Sequence, residues 1–379
     1  TEVELNGDKE PGNRTEETNM GDLITDAMMW AVKTRMPSIN MENAVALTNG
    51  GGIRATIKKG DITKKDINTV LPFGNTVAVV YVTGEQLLEA LEASTFSTPT
   101  AVGGFPQVSG INFTIHTGKA YDKNDTTYPE STYYGPKTIN RVVINSVNGK
   151  EFKANEVYAV VTNNFCAAGG DTYYAFKAAS AQFDTGIPLD EAVMEYVTKE
   201  LKGVIGEQYA APQGRILLNP FKDVKVSSWF GKYVIDLYND GIINGTSATT
   251  YAPNDTLTWA AALKLLLVSH GDLKAADATG ADWSKNTIAK AAELGLVAAD
   301  LDGTKAISRL EFCQVAAKLN KLAESKTESK FTDCTDGYVM ALVDAKVING
   351  MTETTFEPAA SLTRAQIAKI IYQLNLIEK

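Results

Sequence analysis

Short motifs recur at a fixed spacing in the second half of the sequence. Asn244-Gly245 returns as Asn349-Gly350, and residues 257–261 (LTWAA) return as residues 362–366 (LTRAQ), in both cases 105 residues further on. A related segment, ISRLE, lies between them at residues 307–311. Such self-similarity is typical of tandem helix–loop–helix units, here of roughly 50 residues each. Because so short a unit buries little apolar surface alone, we expect the three copies to pack together.

A hydroxyl side chain precedes a helical apolar pattern in each copy, at Thr258, Ser308 and Thr363. Ser and Thr are favoured at helix N-termini, where the side-chain oxygen accepts a backbone N–H. We therefore predict three repeats over residues 219–272, 273–326 and 327–379. A separate domain over residues 1–218 precedes them.

The first domain alternates helix-like and strand-like patterns. Apolar spacing predicts helices over residues 21–35, 84–93 and 183–201, and short apolar runs predict strands over residues 44–47, 76–82, 141–144 and 158–161. This mixture indicates an α+β domain with a mixed sheet, followed by an all-α second part.

Composition excludes several classes of protein. The 379 residues carry a formal charge of −9, which disfavours nucleic acid as a partner. No apolar run is long enough to span a membrane. The three cysteines, Cys166, Cys313 and Cys334, lack paired spacing, so we expect three separate buried thiols. With only two histidines, a His-rich metal site is not expected.

The segment LTNGGGIR at residues 47–54 stands out. Three glycines after a strand let the backbone approach a ligand closely. Asn49 before them offers a neutral hydrogen-bonding group, and Arg54 after them offers a fork suited to phosphate oxygens. The alternative is a tight turn with a solvated arginine.

Two loops each hold a phenylalanine beside glycines. Phe73 lies in LPFGN at residues 71–75, and Phe165 lies in NNFCAAGGD, which ends at Asp171. Two such rings could hold a flat ligand ring between them, and Asp171 could accept hydrogen bonds from sugar hydroxyls. The alternatives are a core phenylalanine at Phe73 and a helix cap at Asp171.

The order of several motifs resembles that of the C-terminal domain of the 5′-nucleotidase family. They are NMGDLITDA at residues 19–27, GGGIR, GDIT at residues 60–63, LPFGN, GGFPQVSG at residues 103–110 and NNF…GGD. The resemblance extends from about residue 14 to residue 216.

The resemblance implies a role for individual residues. Phe73 and Phe165 match the rings that sandwich the base, and Asp171 matches the carboxylate that holds the ribose hydroxyls. The other matches are two phosphate arginines, two polar pocket residues and a backbone contact: Arg14 and Arg54, Asn49 and Asn75, and Gly103.

The same resemblance implies a hydrolase that releases phosphate from nucleoside 5′-monophosphates with two divalent metal ions. Those metals are held by a metallophosphatase domain whose Asp-x-His and Gly-Asn-His motifs do not occur here. We therefore expect the metal-bearing domain to lie outside these residues in the same protein, and residues 1–379 to hold no cofactor and to be inactive alone. Two alternatives remain: a non-catalytic nucleotide-binding surface module, or an enzyme for cyclic nucleotides, 3′-nucleotides or UDP-sugars.

The second part resembles S-layer-homology (SLH) repeats, through FKDV at residues 221–224, DGIING at residues 240–245 and the LTRAQ motif. The resemblance implies a pseudo-threefold bundle that binds secondary cell-wall polysaccharide on the surface of a bacterium, with Arg309 and Arg364 contributing. The first repeat has Trp259 in place of this arginine, and the middle repeat lacks the glycine turn, so fewer than three grooves are expected to bind.

Overall fold

The chain divides into two compact units, Thr1–Asn219 and Pro220–Lys379. The computed structural model describes residues 1–277 and 279–377. Helices and mixed sheets build the first unit, and the described part of the second unit is helical without strands. The predicted α+β and all-α architectures are therefore confirmed.

The strands of the first unit are β1 (Ala44–Asn49), β2 (Thr76–Thr83), β3 (Pro106–Ser109), β4 (Ile111–Ile115), β5 (Lys123–Thr127), β6 (Tyr134–Pro136), β7 (Val142–Val147), β8 (Val157–Asn163), β9 (Ala181–Pro188) and β10 (Ile216–Leu218). Its helices are α1 (Asn19–Arg35), α2 (Lys64–Val70), α3 (Gly84–Ser94), α4 (Asn164–Ala167) and α5 (Leu189–Glu195).

A five-stranded sheet in the order β3-β1-β8-β2-β9 lies at the centre of this unit. β1 and β8 are parallel, and the other pairings are antiparallel, so the sheet is mixed. Successive side chains of β1 point to opposite faces. Ala44 and Ala46 pack into the core that α1 covers, whereas Val45 and Leu47 pack into the core on the α3 side.

Two smaller sheets complete the unit. β10, β4 and β7 form a three-stranded sheet, and β5 and β6 form a hairpin. Residues of β4 and β7 join the core on the α3 side.

Local sequence signals explain α1. The Thr18 side chain accepts the N–H of Gly21 and caps the helix. The apolar positions that predict the helix, among them Leu23, Ala27 and Ala31, are all buried. The helix begins at Asn19, two residues before the predicted start.

The predicted helix over residues 183–201 is wrong in its first part. Residues Ala181–Pro188 instead form the edge strand β9, which pairs with β2. Gly186 then adopts a φ of +70°, and Pro188 occupies the cap of α5, so the helix begins only at Leu189. The strand forms because β2 offers an open edge, which the local apolar spacing does not reveal.

The second unit contains α6 (Gly231–Asn239), α7 (Trp259–His270), α8 (Trp283–Glu293), α9 (Arg309–Leu319), α10 (Gly337–Asp344) and α11 (Arg364–Ile377). Short bridges join the segments before α7, α9 and α11 in a closed ring: Thr256 with Thr363, Thr258 with Ala306, and Ser308 with Ser361. The first N–H of each of these helices donates to a loop carbonyl of another segment: Trp259 to Lys305, Arg309 to Ala360, and Arg364 to Asp255. This cyclic pattern gives the unit its pseudo-threefold arrangement.

A buried group of charged side chains joins α1 to the residues around β10. Arg215 Nη2 donates to Asp26 Oδ2 at 2.8 Å, and its Nη1 lies 3.5 Å from Asp22 Oδ1. Glu17 Oε2 accepts the N–H of Ile216 at 2.6 Å. Three carboxyl groups therefore face one guanidinium. Burial, together with the charge of Glu17, raises the pKa of Asp22 to about 9.

Replacing Asp22 by asparagine should make the stability of the first unit less sensitive to pH. An unfolded Asp titrates near about 3.9, well below the folded pKa. Protonation of Asp22 therefore stabilises the fold fully below about pH 4, and this contribution is lost as the pH rises to about 9, by up to about 1.4 kcal/mol per pH unit. Burial also raises the pKa of Glu17, so Glu17 contributes to the pH dependence with the same sign as Asp22.

Pulsed hydrogen exchange on α1 peptides during urea unfolding, at about pH 6 and about pH 9, measures this dependence. The Asp22→Asn protein should lose less stability between the two pH values than the parent. Equal losses would show that Asp22 is ionised in the fold across this range.

Candidate functional site

Two buried asparagines mark the sheet edge where β1 and β8 end. The two strands are parallel neighbours, so their last residues, Asn49 and Asn163, come to lie together. Asn163 Nδ2 donates to Asn49 Oδ1 at 3.0 Å. The loops that follow these strands carry several of the predicted site residues, as expected for the carboxyl ends of parallel strands.

Asp171 reaches this edge from the loop after α4. Asn49 Nδ2 donates to Asp171 Oδ2 at 2.9 Å, and Asp171 has a φ of +50°. Burial raises the pKa of Asp171, while the hydrogen bond from Asn49 and the charge of Arg14 lower it. Asp171 caps no helix, so that alternative is wrong. Its Oδ1 has no hydrogen-bond partner among the described residues.

The glycine segment forms the tight turn that brings Gly103 to the same place. Gly50 permits close approach, because a Cβ there would lie 1.7 Å from the carbonyl oxygen of Asn13. Gly51 donates its N–H to the Gly103 carbonyl at 2.8 Å. A Cβ on Gly103 would lie 3.6 Å from Asp171 Oδ2. The structure thus brings Asn49, Gly103 and Asp171 together.

Arg14 joins this group through its charge and its backbone. Its carbonyl accepts the N–H of Val102, the neighbour of Gly103, at 3.1 Å. Its Nε is buried and has no hydrogen-bond partner within the described chain. Tyr133, which sequence reasoning missed, interacts with the charges of both Asp171 and Arg14, and burial raises the pKa of Tyr133.

Phe73 projects from the loop between α2 and β2. Its side chain is 59% exposed, so the alternative of a core phenylalanine is wrong. The loop turns at Gly74, which has a φ of +64°. Arg54 is exposed, donates from Nη1 to the Gly51 carbonyl at 3.1 Å, and places its Cζ 5.7 Å from the centre of the Phe73 ring.

Phe165 projects from α4 and is 44% exposed. The helix is capped by Asn163, whose Oδ1 accepts the N–H of Cys166 at 2.8 Å. Gly170 lies against the ring, since a Cβ there would come within 2.6 Å of it. Neither Phe165 nor Phe73 is stacked on another aromatic ring in the part of the chain that the structure describes.

Asn75 is half-buried, and its carbonyl accepts the N–H of Leu189 at 2.8 Å. It lies in an open depression lined by Thr48, Gly52, Leu71, Phe73, Asn75, Asn163, Leu189 and Asp190. Asn163 lines this depression and also donates to Asn49, which in turn donates to Asp171, so the depression adjoins the group around Asp171.

The chemistry that this arrangement offers is recognition. It combines exposed aromatic faces, a carboxylate oxygen to which no described residue donates a hydrogen bond, and two arginines. The nearby thiol of Cys166 is fully buried, which raises its pKa to about 12, so it is not an activated nucleophile. All three cysteines are buried and unpaired.

The two arginines of the second unit hold loops of neighbouring segments. Arg364 donates to the carbonyls of Tyr251 and Asn244 at 2.7 and 2.8 Å, and its Cζ lies 4.5 Å from the Tyr251 ring centre. Arg309 donates to the carbonyl of Asn349 at 2.7 Å, and its Cζ lies 4.7 Å from the centre of the Phe356 ring.

Burial distinguishes these arginines. Arg309 is only 7% exposed, whereas Arg364 is half-buried. Burial lowers the pKa of Arg309. The equivalent position in the first repeat is Trp259, and the position matching Tyr251 and Phe356 in the middle segment is Leu301. The junction between the first and middle repeats, where Trp259 and Leu301 take these positions, therefore lacks the arginine–aromatic pair.

Two further properties concern the described residues, 1–277 and 279–377. They contain no cluster of three or more His, Cys, Asp or Glu side chains placed to hold a metal ion. None of their helices is long and apolar enough to cross a membrane.

The fold defines a two-part chain, an α+β domain followed by a helical repeat unit. The sequence model of the 5′-nucleotidase C-terminal domain matches residues 2–178, and that of the S-layer homology domain matches residues 220–262 and 333–368. Residues 2–178 therefore belong to the 5′-nucleotidase C-terminal domain family, and S-layer homology domains follow. Such domains indicate anchoring at the bacterial cell surface.

Individual proteins agree with this assignment. The trifunctional nucleotide phosphoesterase protein YfkN of Bacillus subtilis (strain 168) is 38% identical over 218 residues, which are 57% of this chain and 13% of that protein. The 5′-nucleotidase of Vibrio cholerae serotype O1 is 30% identical over 204 residues, covering 54% of this chain and 31% of that protein.

Among solved structures, the 5′-nucleotidase precursor from Thermus thermophilus is 35% identical, with a TM-score of 0.44 over 57% of this chain and 38% of that chain. The chain thus spans roughly a third or less of the length of the curated relatives named above.

Proposed function

We propose that the first unit binds a nucleoside 5′-monophosphate and serves as the substrate-recognition part of a cell-surface 5′-nucleotidase. One observation carries the proposal: two exposed phenylalanine rings accompany a carboxylate with one oxygen left for a ligand. Aromatic rings stack on any of the bases, because every base has a flat π-face. Vicinal sugar hydroxyls are donors that a carboxylate accepts.

The phosphate is assigned to Arg14 and Arg54. A buried donor without a partner is costly, and the Nε of Arg14 is such a donor. Arg54 is exposed beside Phe73, and within the described residues only its Nη1 donates a hydrogen bond. Both guanidinium groups match phosphate oxygens in geometry and charge.

Catalysis is assigned to a two-metal phosphoesterase domain outside residues 1–379. Two metal ions can generate hydroxide and neutralise phosphoryl oxygens. The named relatives of this chain are phosphoester hydrolases and are much longer than the matched region. The chain alone should bind AMP without releasing phosphate.

The three predicted repeats, over residues 219–272, 273–326 and 327–379, are proposed to hold the protein on secondary cell-wall polysaccharide. Two of its three junctions carry an arginine stacked on an aromatic ring. We assign the acidic sugar to these two junctions.

Replacing Asp171 by asparagine should weaken adenosine binding about 10- to 100-fold, because a hydrogen bond to a charged group contributes about 1.5–3 kcal/mol. The preference for adenosine over 2′-deoxyadenosine should fall as well. Titration calorimetry on the full chain with both nucleosides measures each effect, and a phosphate assay with AMP and added divalent metal runs alongside.

The matched control is Asp61→Asn, which neutralises an exposed carboxylate elsewhere in the unit. It should bind adenosine like the parent. Undetectable binding of adenosine and AMP to the parent chain would refute the proposed function.

A further inference from the structure

Asn163, which is not among the predicted site residues, makes three side-chain hydrogen bonds at the candidate site. Its side chain is fully buried at the end of β8. Nδ2 donates to Thr48 Oγ1 at 2.9 Å and to Asn49 Oδ1 at 3.0 Å, while Oδ1 accepts the Cys166 N–H at 2.8 Å. A backbone N–H can only donate, so the Cys166 bond fixes which way the Asn163 amide faces.

The orientation of Asn163 determines that of Asn49. Asn49 Oδ1 accepts from Asn163 Nδ2, and the thiol of Cys166 lies 3.5 Å from the same oxygen. If the Asn49 amide were reversed, two NH₂ groups would face each other and its oxygen would face the Asp171 carboxylate. Asn49 must therefore present Nδ2 to Asp171, where it donates at 2.9 Å.

These hydrogen bonds form a relay from the Cys166 N–H through Asn163 and Asn49 to Asp171. Asp171 carries the carboxylate proposed to hold the sugar. Asp171 adopts a left-handed backbone conformation, which is unfavourable for a residue with a side chain. The bond from Asn49 occupies Oδ2 and leaves Oδ1 for a ligand. The orientation of the Asp171 carboxylate thus depends on the relay of hydrogen bonds that starts at the Cys166 N–H.

We propose that Asn163 is a positioning residue for sugar recognition: it fixes the Asn49 amide and, through it, directs Asp171 Oδ1 toward the ligand's hydroxyl groups. This inference rests on the proposed function of the site. Asn163 also caps α4, which carries Phe165, so a useful test must separate the relay from the cap.

Asn163→Asp makes this separation. Asp is as good a helix cap as Asn, so the bond to Cys166 and the place of Phe165 are retained. The donor to Asn49 is lost, and the new oxygen favours the reversed Asn49 amide, which repels Asp171. Adenosine affinity should fall about tenfold or more, the preference over 2′-deoxyadenosine should disappear, and affinity for free adenine should be unchanged.

Asn164→Asp is the matched control, since it makes the same chemical change one residue further on, at an exposed position. It should bind adenosine and adenine like the parent. Asn163→Ser is the second variant in case a buried carboxylate prevents folding. Serine is neutral and also caps helices, but it lacks the amide donor, so it should show the same selective loss.

The outcomes are distinguishable by calorimetry on the full chain. If the parent binds adenosine, and folded Asn163→Asp or Asn163→Ser keeps its affinity and its preference for the 2′-hydroxyl, the positioning role is overturned. If adenine and adenosine weaken equally, Asn163 acts only through the cap and Phe165, which also overturns the relay. If the parent binds no nucleoside, the proposed function itself fails.

Discussion

Alanine at Phe73 or Phe165 should each reduce the affinity of the chain for adenosine about 5- to 150-fold. Stacking of a base on an aromatic side chain contributes about 1–3 kcal/mol, and each factor of ten corresponds to about 1.4 kcal/mol. Both rings are already exposed, so their truncation leaves no large cavity in the core. Titration calorimetry on the two folded variants measures the loss directly.

Phe183→Ala is the control for this experiment. Phe183 is a 39% exposed ring on the edge strand β9, outside the candidate site. Its removal should leave adenosine affinity unchanged. A folded Phe73→Ala, Phe165→Ala double variant that binds adenosine as well as the parent would show that these rings do not hold the base.

The second large effect is expected in cell-wall binding. Arg364→Ala should weaken co-sedimentation of the full chain with purified cell walls about 10- to 100-fold, the range for loss of a charge-assisted hydrogen bond. Its Nε and Nη2 donate to protein carbonyls, whereas Nη1 has no acceptor among residues 1–277 and 279–377 and can donate to an acidic sugar. Lysine should restore binding only in part, because it lacks the planar fork.

Arg309→Ala should also weaken cell-wall binding, but chiefly by destabilising the second unit. Its guanidinium is buried against Phe356, so truncation removes packing and a hydrogen bond together. The exposed Lys285→Ala should bind like the parent. If folded Arg364→Ala sediments as well as the parent, the polysaccharide is held by another surface.

Local patterns were sufficient where neighbours in sequence decide the structure. The spacing of Leu23, Ala27 and Ala31 predicts α1 because each turn of an amphipathic helix places its own apolar residue on the buried face. The hydroxyls at Thr258 and Ser308 predict the starts of α7 and α9 for the same local reason, since each caps its own helix.

Partners distant in sequence were needed elsewhere. Residues Ala181–Pro188 form a strand only because they pair with the edge of β2 that β8 leaves free. The burial of Arg309 depends on the Phe356 ring, which lies 47 residues further along the chain. Neither fact can be inferred from spacing within one helix or one repeat.

The candidate site divides in the same way. Motif order pointed to Asn49, Gly103 and Asp171, and the structure brings these three together. Motif order gave no reason to select Asn163 or Tyr133, because their importance lies in the residues with which they interact in the folded chain. The one available signal for Asn163 was its position at the end of a strand parallel to the strand that ends at Asn49.

A crystal structure of the chain soaked with AMP, at a concentration shown to saturate it by calorimetry, tests the central proposal most directly. The account predicts the base between the rings of Phe73 and Phe165, the ribose hydroxyls on Asp171 Oδ1 and the phosphate near Arg14 and Arg54. A nucleotide bound elsewhere, or with its base away from both rings, would contradict it.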